Sequence, residues 1–381
     1  MIYKDFQDLK LSALGFGAMR LPTVDGKDAE IDKQAASAMV SEAMKKGINY
    51  YDTAWGYHEG NSELIMGEIL SEYPRDSFYL ATKFPGYDLS NMDKVEEIFE
   101  KQLEKCRADH FDFYLFHNVC EMNIDAYLDE SHGIFAYLME QKKNGRIKHL
   151  GFSAHGEAPV MRRFLEKYGK EMEFCQIQLN YLDLKFQDAQ AKLELLKEYE
   201  IPVWVMEPLR GGRLANLTEE EIAKLAALRP DETSVSWAFR FLQSIPEVTM
   251  ILSGMSNMEQ LLANIETFET EKSLNQNEQR VLQKIADEMA AKVALPCTEC
   301  RYCTTHCPQG LDIPYLLSLY NEHRSTTLAG GMSFIAPMAL SAVEKEKQPS
   351  ACIGCGSCEA VCPQQIKISQ AMKEFVGALG M

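Results

Sequence analysis

Short apolar segments recur from residue 11 to about residue 255, and most are followed by a segment of helical periodicity. The short segments are rich in β-branched and aromatic residues, which is typical of buried strands. This alternation predicts repeated βα units around a parallel sheet. The predicted strands are Ala13–Met19, Ile48–Thr53, Phe78–Lys83, Phe111–His117, Ile147–His155, Glu173–Asn180, Ile201–Pro208 and Val248–Gly254.

The segments between the strands predict amphipathic helices, two of which end at a glycine, Gly47 and Gly145. Eight βα alternations favour a (β/α)₈ TIM barrel over a doubly wound sheet, which usually has fewer strands. The opening segment Tyr3–Leu11 predicts a hairpin that closes the barrel floor. The predicted helices are Asp32–Lys46, Asp93–Cys106, Gly133–Asn144, Pro159–Tyr168, Asp188–Glu198 and Ser234–Gln243.

The composition changes after the predicted barrel, because cysteine, glycine and proline become frequent beyond Pro296. A polar helix predicted over Asn275–Lys292 leads to this point. We therefore predict a barrel over residues 1–270, a helical linker over 271–295, and a small, mainly helical domain over 296–381. The helices predicted in that domain are Asp312–Glu322, Ala336–Lys347 and Ile368–Ala378.

Composition and charge exclude several classes of function. With 46% hydrophobic and 25% charged residues, the chain of 381 residues is typical of a globular protein. A formal net charge of −17 disfavours binding to nucleic acids or to anionic lipid. No apolar run reaches the ~20 residues that span a bilayer, and the first residues lack the pattern of a signal peptide. We expect a cytoplasmic protein with no membrane and no nucleic-acid partner.

Eight of the eleven cysteines lie in two copies of the pattern C-x₂-C-x₂-C-x₃-C-P, which is that of two-cluster bacterial ferredoxins. Residues 296–365 resemble a ferredoxin-type domain with a longer segment, 308–351, between the copies. In this pattern three thiolates bind one [4Fe–4S] cluster and the fourth reaches the other, so ligation is crossed. Zinc is the alternative, but it has no use for the third cysteine step. The expected ligands are Cys297, Cys300, Cys303 and Cys362 for one cluster, and Cys352, Cys355, Cys358 and Cys307 for the other.

Polar residues also follow the second, third and fourth predicted strands of the barrel. Asp52 and Tyr57 follow the second strand, Lys83 ends the third, and His117 ends the fourth. The loops after the strands of such a barrel open on one face, where catalytic residues belong. A buried Lys83, neutralised by Asp52, would stabilise the tyrosinate of Tyr57 and make Tyr57 a better proton donor or acceptor near neutral pH, while His117 would orient a substrate carbonyl.

The barrel region resembles the aldo/keto reductase family over about residues 1–270. The resemblance rests on Leu-Gly-Phe-Gly-Ala-Met at 14–19, Tyr-Asp-Thr-Ala at 51–54, Gly-Phe-Ser at 151–153 and Glu-Pro-Leu-Arg-Gly-Gly at 207–212, with Tyr57, Lys83, His117 and Gln176. It implies that Tyr57 protonates the nascent alkoxide and that Lys83 and Asp52 adjust the acidity of Tyr57. It also implies that His117 orients the carbonyl. It also implies a nicotinamide cofactor as the hydride donor, with its carboxamide held by Ser153 and Gln176.

The sequence departs from the family pattern at the positions implied for the cofactor. Met206 stands where an aromatic ring usually stacks on the nicotinamide, and Ala154 replaces an asparagine. Gly254 and Gln260 lack the basic side chains that often hold the 2′-phosphate, so NADPH, NADH and a flavin remain alternatives. The expected cofactor-binding residues are Gly17, Met19, Ser153, Gln176, Met206, Pro208, Leu209, Gly212, Gly254, Ser256, Gln260 and Asn264.

The two halves of the chain imply different electron chemistry, because clusters move single electrons whereas a nicotinamide moves a hydride. The leading hypothesis is an oxidoreductase that interconverts carbonyl and alcohol at the barrel mouth, coupled to electron transfer through the clusters. A ferredoxin or another electron carrier is then the expected partner. The alternatives are a flavin-mediated electron-transfer enzyme and a redox-responsive nicotinamide-binding subunit with structural clusters.

Overall fold

The structure is a computed structural model that describes residues 1–293, 295, 297, 303–328, 332–362 and 364–380. These residues form two compact units. The first comprises Met1–Pro208 and Arg229–Gln279, and the second comprises Leu209–Leu228 and Arg280–Met381. The predicted domain limits at residues 270 and 295 stay predictions.

The first unit is built around a closed barrel of eight strands. Each barrel strand pairs in parallel with the next along the chain, and the last pairs with the first. All eight predicted strands are present, so the predicted TIM barrel is confirmed. The strands are β1 Tyr3–Phe6, β2 Leu9–Ser12, β3 Leu14–Gly17, β4 Tyr50–Asp52, β5 Tyr79–Phe84, β6 Phe111–Val119, β7 Ile147–Ala154, β8 Cys175–Gln178, β9 Val203–Met206 and β10 Val248–Gly254, of which β3 to β10 form the barrel.

Helices lie between the barrel strands and make up most of the second unit. In chain order they are α1 Lys33–Lys45, α2 Asn61–Leu70, α3 Val95–Cys106, α4 Ile124–Leu128, α5 Ile134–Lys143, α6 Ala158–Tyr168, α7 Asp183–Phe186, α8 Ala189–Glu198, α9 Glu219–Ala226, α10 Ser234–Gln243, α11 Met258–Thr267, α12 Gln276–Val293, α13 Ile313–Thr327, α14 Ile335–Ser341, α15 Ser357–Ala360 and α16 Ile368–Leu379. No described helix combines the length and apolar character needed to cross a membrane.

The second unit has its own apolar core, which confirms a small, mainly helical domain after the barrel. Leu316 and Leu317 of α13 pack with Ile368 and Phe375 of α16. The helix predicted over Ala336–Lys347 is shorter than expected, because α14 ends at Ser341. Short 3₁₀ turns follow it up to the second cysteine run.

The segment after β9 belongs to this second unit and is tied to α13. Arg210 is 3% exposed, and its guanidinium donates to the Ser325 hydroxyl at 2.9 Å and to the Thr326 hydroxyl at 3.3 Å. Arg213 donates to the Ser325 carbonyl at 2.8 Å. Buried donors need such partners, so these bonds fix the 3₁₀ segment Arg210–Ala215 against α13.

The predicted hairpin is present as β1 and β2, which pair antiparallel. The ring of Phe6 lies 5.0 Å from that of Trp204 and 5.7 Å from that of Phe113, both of which are fully buried in barrel strands. Leu11 joins the same core cluster. The hairpin therefore covers the barrel interior and removes its apolar residues from water.

A partly buried carboxylate, Glu173, joins this hairpin to the barrel. It accepts hydrogen bonds from Gln7 at 2.7 Å, from His149 Nδ1 at 2.8 Å and from the backbone N–H of Leu150 at 3.2 Å, and Lys142 lies at 2.5 Å. Burial alone would raise the pKa of Glu173, but these donors outweigh burial and lower the pKa to about 2.

We expect Glu173→Gln to destabilise the barrel by roughly 1–3 kcal/mol at neutral pH. Because the folded-state pKa is lowered, the carboxylate stabilises the fold above its ordinary pKa of 4.5, and this contribution is lost as the pH falls towards 2. The difference from the parent protein should therefore shrink below about pH 4.5. Urea unfolding followed by tryptophan fluorescence measures it, since Trp55, Trp204 and Trp237 all lie in the first unit.

Glu198→Gln is the matched control, because Glu198 is exposed and pairs only with the exposed Arg162. It should change the unfolding free energy by less than about 0.5 kcal/mol at any pH. If Glu173→Gln lowered the free energy of unfolding by the same amount down to pH 3, the result would contradict the lowered pKa of this carboxylate.

Candidate active site

The four polar residues predicted at the strand ends converge at one end of the barrel. Asp52 is the last residue of β4, Lys83 lies near the end of β5, and Tyr57 begins a 3₁₀ turn after β4. The Lys83 ammonium lies 2.6 Å from Asp52 Oδ1 and 3.4 Å from the Tyr57 hydroxyl, and it also donates to the Thr53 carbonyl at 2.8 Å. Lys83 and Asp52 are 1% and 3% exposed, so this ion pair is buried.

His117 completes the group from the end of β6. Its ring lies 6.2 Å from the Tyr57 ring, edge to face, and 5.3 Å from the ring of Tyr87. The Tyr127 hydroxyl donates to the His117 carbonyl at 2.9 Å, which fixes the backbone at this point. The sequence did not single out Tyr87 or Tyr127, because neither falls at the end of a strand.

The ring nitrogen Nδ1 of His117 is buried and has no hydrogen-bond partner among the described residues. Buried polar atoms in folded proteins are nearly all paired, so such an atom at a barrel mouth indicates a site that a ligand or water completes. The Asp52 carboxylate oxygen that does not contact Lys83 is unpaired in the same way within the described part of the chain.

The charges of the group set its protonation. Burial disfavours the Lys83 ammonium, but the neighbouring Asp52 carboxylate and Tyr57 outweigh burial and raise the pKa of Lys83, which is therefore a cation. Burial, with the nearby charge of Lys83, holds the pKa of His117 well below its usual range, so the imidazole is neutral.

The Lys83 ammonium acts on the pKa of Tyr57 in the downward direction, but burial acts on it more strongly. Burial raises the pKa of Tyr57 above 10.0, and attraction to the Lys83 ammonium offsets this only in part. Tyr57 is therefore a protonated hydroxyl across the neutral range, and it can donate a proton.

A buried polar network also lies next to Lys83, and no sequence motif indicates it. Glu63 of α2 is fully buried and accepts hydrogen bonds from Thr82 and Gln102, both at 2.7 Å, and from Lys105 at 3.1 Å. Gln102 also donates to the Lys83 carbonyl at 2.9 Å. Because every member is paired, the network fixes the end of β5 and so the position of the Lys83 side chain.

The residues expected to hold a nicotinamide carboxamide are neighbours across two strands. Ser153 of β7 and Gln176 of β8 face each other in register, and both are at most 4% exposed. The Ser153 hydroxyl accepts a hydrogen bond from the Asn118 backbone N–H at 2.8 Å, and its own hydrogen remains for a ligand. A hydroxyl and an amide in this arrangement fit the donor and acceptor atoms of a carboxamide. Met206 is half-buried at the end of β9.

The remaining cofactor candidates of the first unit lie on the strand ends around β3 and β10. Gly17 and Gly254 are in register, and a Cβ atom on Gly17 would lie 3.2 Å from the Ser253 carbonyl oxygen. Asn264 donates to the Ser253 hydroxyl at 3.1 Å. The other candidates here are Ser256, whose backbone N–H donates to the Gln260 amide oxygen at 2.8 Å, Met19, which is 36% exposed, and Pro208 after β9.

Leu209 and Gly212 belong to the second unit. Gly212 has a φ of +96°, a backbone conformation that glycine adopts most readily. Their assignment to the cofactor stays a prediction.

Four cysteines of the second unit line one cavity. They are Cys307, Cys352, Cys355 and Cys358, and apolar side chains such as Leu311 and Met372 complete the walls. This is the set that crossed ligation predicts for one cluster, because Cys307 comes from the other copy of the motif. A thiolate cavity with apolar walls fits the requirements of a [4Fe–4S] cluster.

The other predicted cluster set is only partly described. Cys303 lies in the apolar core of the second unit, and Cys297 and Cys362 pack against it. Cys300 lies outside the described residues. Within the described part of the chain, no group of three His, Cys, Asp or Glu side chains could hold a single metal ion.

Comparison with protein families finds two matches, one for each half of the chain. Residues 13–286 match the aldo/keto reductase family, and residues 296–366 match the 4Fe-4S dicluster domain. The two matched ranges follow one another along the chain without overlap.

Among individual proteins, an uncharacterized oxidoreductase of Bacillus subtilis strain 168 is 25% identical over 307 residues, which are 72% of this chain and 93% of that protein. The NADH-specific methylglyoxal reductase of Escherichia coli K12 is 27% identical over 54% of this chain and 66% of its own length. Neither similarity extends over the whole chain.

Solved structures share the fold. The holo form of an aldo-keto reductase from Bacillus halodurans matches with a TM-score of 0.61 at 24% identity, over 75% of this chain and 96% of that one. An aldo-keto reductase from Klebsiella pneumoniae, solved in complex with NADPH, matches with a TM-score of 0.60 at 17% identity over the same shares. The family match, the barrel and the residues at its strand ends agree: the chain belongs to the aldo/keto reductase family of oxidoreductases and carries a C-terminal 4Fe-4S dicluster domain.

Proposed function

We propose that the protein is a nicotinamide-dependent oxidoreductase that reduces a small carbonyl compound, or oxidises the corresponding alcohol, at the barrel mouth. The observation that supports this most directly is the group formed by Asp52, Tyr57, Lys83 and His117. A protonated phenol beside a buried ammonium and a neutral imidazole is suited to proton transfer to a carbonyl oxygen.

In reduction, Tyr57 donates the proton of its hydroxyl to the substrate oxygen. The Lys83 ammonium, 3.4 Å away, then stabilises the tyrosinate that remains, and Asp52 keeps that ammonium charged. His117 is neutral, so a ring N–H can donate a hydrogen bond to the carbonyl oxygen without competing as an acid. A bound nicotinamide would supply the hydride.

Ser153 and Gln176 would hold the carboxamide of that nicotinamide, and Met206 would cover the ring with a thioether. The strand-end residues Gly17 and Gly254 would leave room for the rest of the dinucleotide. The Escherichia coli relative is NADH-specific and the Klebsiella pneumoniae structure contains NADPH, so a nicotinamide is the cofactor we propose here, with a flavin as the alternative.

We further propose that the second unit binds two [4Fe–4S] clusters with crossed ligation, and that these exchange electrons with a ferredoxin or a similar carrier. The cavity lined by Cys307, Cys352, Cys355 and Cys358 supports this assignment. Cys355 is exposed, so the cluster that it binds would lie near the surface, where a carrier can approach.

The visible absorption of anaerobically purified protein tests whether the halves exchange electrons. We expect the broad cluster absorption to bleach after addition of NADPH or NADH without substrate, and to recover when a carbonyl substrate is added. Bleaching by dithionite but by neither nucleotide would contradict the coupling. Carbonyl reduction that proceeds in the same sample would then show that the barrel works alone.

A further inference from the structure

An arginine that the sequence reasoning left unassigned, Arg20, lies at the barrel mouth. It ends the 3₁₀ turn Ala18–Arg20 that follows β3. The Arg20 carbonyl accepts a hydrogen bond from the Ser256 hydroxyl at 3.0 Å, and the next backbone N–H, that of Leu21, donates to His58 Nε2 at 3.1 Å. The backbone of Arg20 is thus held between the loops that follow β10 and β4.

The side chain of Arg20 occupies the space beside Gly254. A Cβ atom on Gly254 would lie 3.1, 3.2 and 3.3 Å from the Cβ, Cγ and Cδ atoms of Arg20. Glycine at 254 therefore lets the arginine lie across the end of β10. Gly254 itself provides no charge, so Arg20 is the residue that places a cation at this point.

The Arg20 guanidinium is only loosely paired. Its Nη2 atom lies 3.8 Å from Glu207 Oε1, and the two side chains are 34% and 27% exposed. Such a partly exposed pair, at a long contact distance, contributes little to stability, since solvent screens both charges. An anion from solution can therefore reach the guanidinium.

Ligand phosphates in TIM barrels are frequently bound by the loops after the seventh and eighth strands. In this barrel those strands are β9, which Glu207 follows, and β10, which ends at Gly254. Arg20 and Glu207 thus place opposite charges at the location where the phosphorylated end of a dinucleotide is expected. A guanidinium favours a phosphate, whereas a carboxylate favours a ribose hydroxyl and repels a phosphate.

We propose, as an extension of the proposed function, that Arg20 and Glu207 form the pair that discriminates between NADP(H) and NAD(H). Arg20 binds the adenosine 2′-phosphate, and Glu207 opposes it. On NADPH binding the guanidinium exchanges the 3.8 Å contact with Glu207 for the phosphate. Arg20 should therefore favour NADP(H), whereas Glu207 should favour NAD(H).

Calorimetric titration of the intact, cluster-containing protein with NADPH and with NADH tests the assignment. Arg20→Gln should raise the Kd of NADPH by about tenfold or more and change the Kd of NADH by less than about threefold. Glu207→Gln should lower the Kd of NADPH by about threefold or more. Arg20→Lys keeps the charge, so its Kd for NADPH should lie between the values of Arg20→Gln and of the parent protein.

Arg162→Gln is the matched control, because it removes the same charge from an exposed arginine of α6 that pairs with Glu198. It should leave both Kd values unchanged. If Arg20→Gln weakened the binding of NADPH and of NADH equally, the proposal would be overturned, since Arg20 would then bind a group that both nucleotides share. Unchanged NADPH binding would overturn it as well.

Adenosine 2′,5′-bisphosphate and ADP separate this proposal from the proposed function. Neither carries a nicotinamide, and only the first carries a 2′-phosphate. Tighter binding of the bisphosphate that Arg20→Gln abolishes would support the Arg20 assignment, even if neither dinucleotide supported carbonyl reduction. Equal binding of the two compounds by the parent protein would contradict the assignment while leaving the role of Tyr57 intact.

Discussion

Tyr57→Phe should lower the rate of carbonyl reduction by about 10²–10⁴-fold, because it removes the group that donates the proton to the substrate oxygen. The ring and its contact with His117 are kept, so the KM of the substrate should change little. Because the pKa of Tyr57 is raised, the parent protein should show no fall in reduction rate across the neutral pH range. Steady-state kinetics with the nucleotide in excess measures the effect.

Tyr137→Phe is the matched control for this variant. Tyr137 lies on α5, away from the strand ends that carry the proposed catalytic group, and its hydroxyl contacts the exposed Glu100 at 3.4 Å. It should keep the parent rate. A Tyr57→Phe protein that retains turnover within about threefold of the parent would contradict the assignment of Tyr57 as the proton donor.

Cys307→Ala should halve the iron content, from about eight to about four atoms per chain, because it removes one ligand of one [4Fe–4S] cluster. Crossed ligation further predicts which second cysteine can be replaced without any additional loss of iron. In the crossed arrangement Cys355 is a ligand of the same cluster as Cys307, and both thiols line one cavity, so Cys307→Ala with Cys355→Ala should keep about four iron atoms. Cys307→Ala with Cys303→Ala should keep almost none. Iron analysis and the visible spectrum measure both outcomes.

Uncrossed ligation predicts the reverse result for the two double variants, so the pair distinguishes the arrangements directly. Cys106→Ala is the control, because Cys106 is a buried thiol of α3 in the barrel unit. It should leave the iron content unchanged. Loss of all iron in Cys307→Ala alone would show that the two clusters depend on each other for assembly.

The proposed catalytic group could be located from the sequence because its members follow a local pattern. Asp52, Lys83 and His117 fall at or near the ends of apolar runs, and in a parallel barrel all such ends meet on one face. The cysteine motif is local in the same sense, and its spacing predicts the grouping of Cys307, Cys352, Cys355 and Cys358, which line one cavity.

Other features depend on packing between distant segments and leave no local signal. Glu63 lies on α2, a helix that the periodicity did not predict because much of its surface is buried, including Ser62 and Gly67. The pKa of Tyr57 is set mainly by burial, a property of the whole fold that no local motif shows, and only secondarily by its charged neighbour Lys83. The approach of Arg20 to Glu207 joins residues that follow different strands, β3 and β9.

The order of synthesis matters for a chain whose second unit is discontinuous. Residues 209–228 leave the ribosome well before residues 280–381, with which they form one compact unit. Arg210 and its partner Ser325 are 115 residues apart. At cellular elongation rates Ser325 is therefore synthesised roughly 6–20 s after the arginine to which it is hydrogen-bonded. A gene truncated after residue 279 would remove Ser325 but keep residues 209–228, so a single cut does not separate the two compact units.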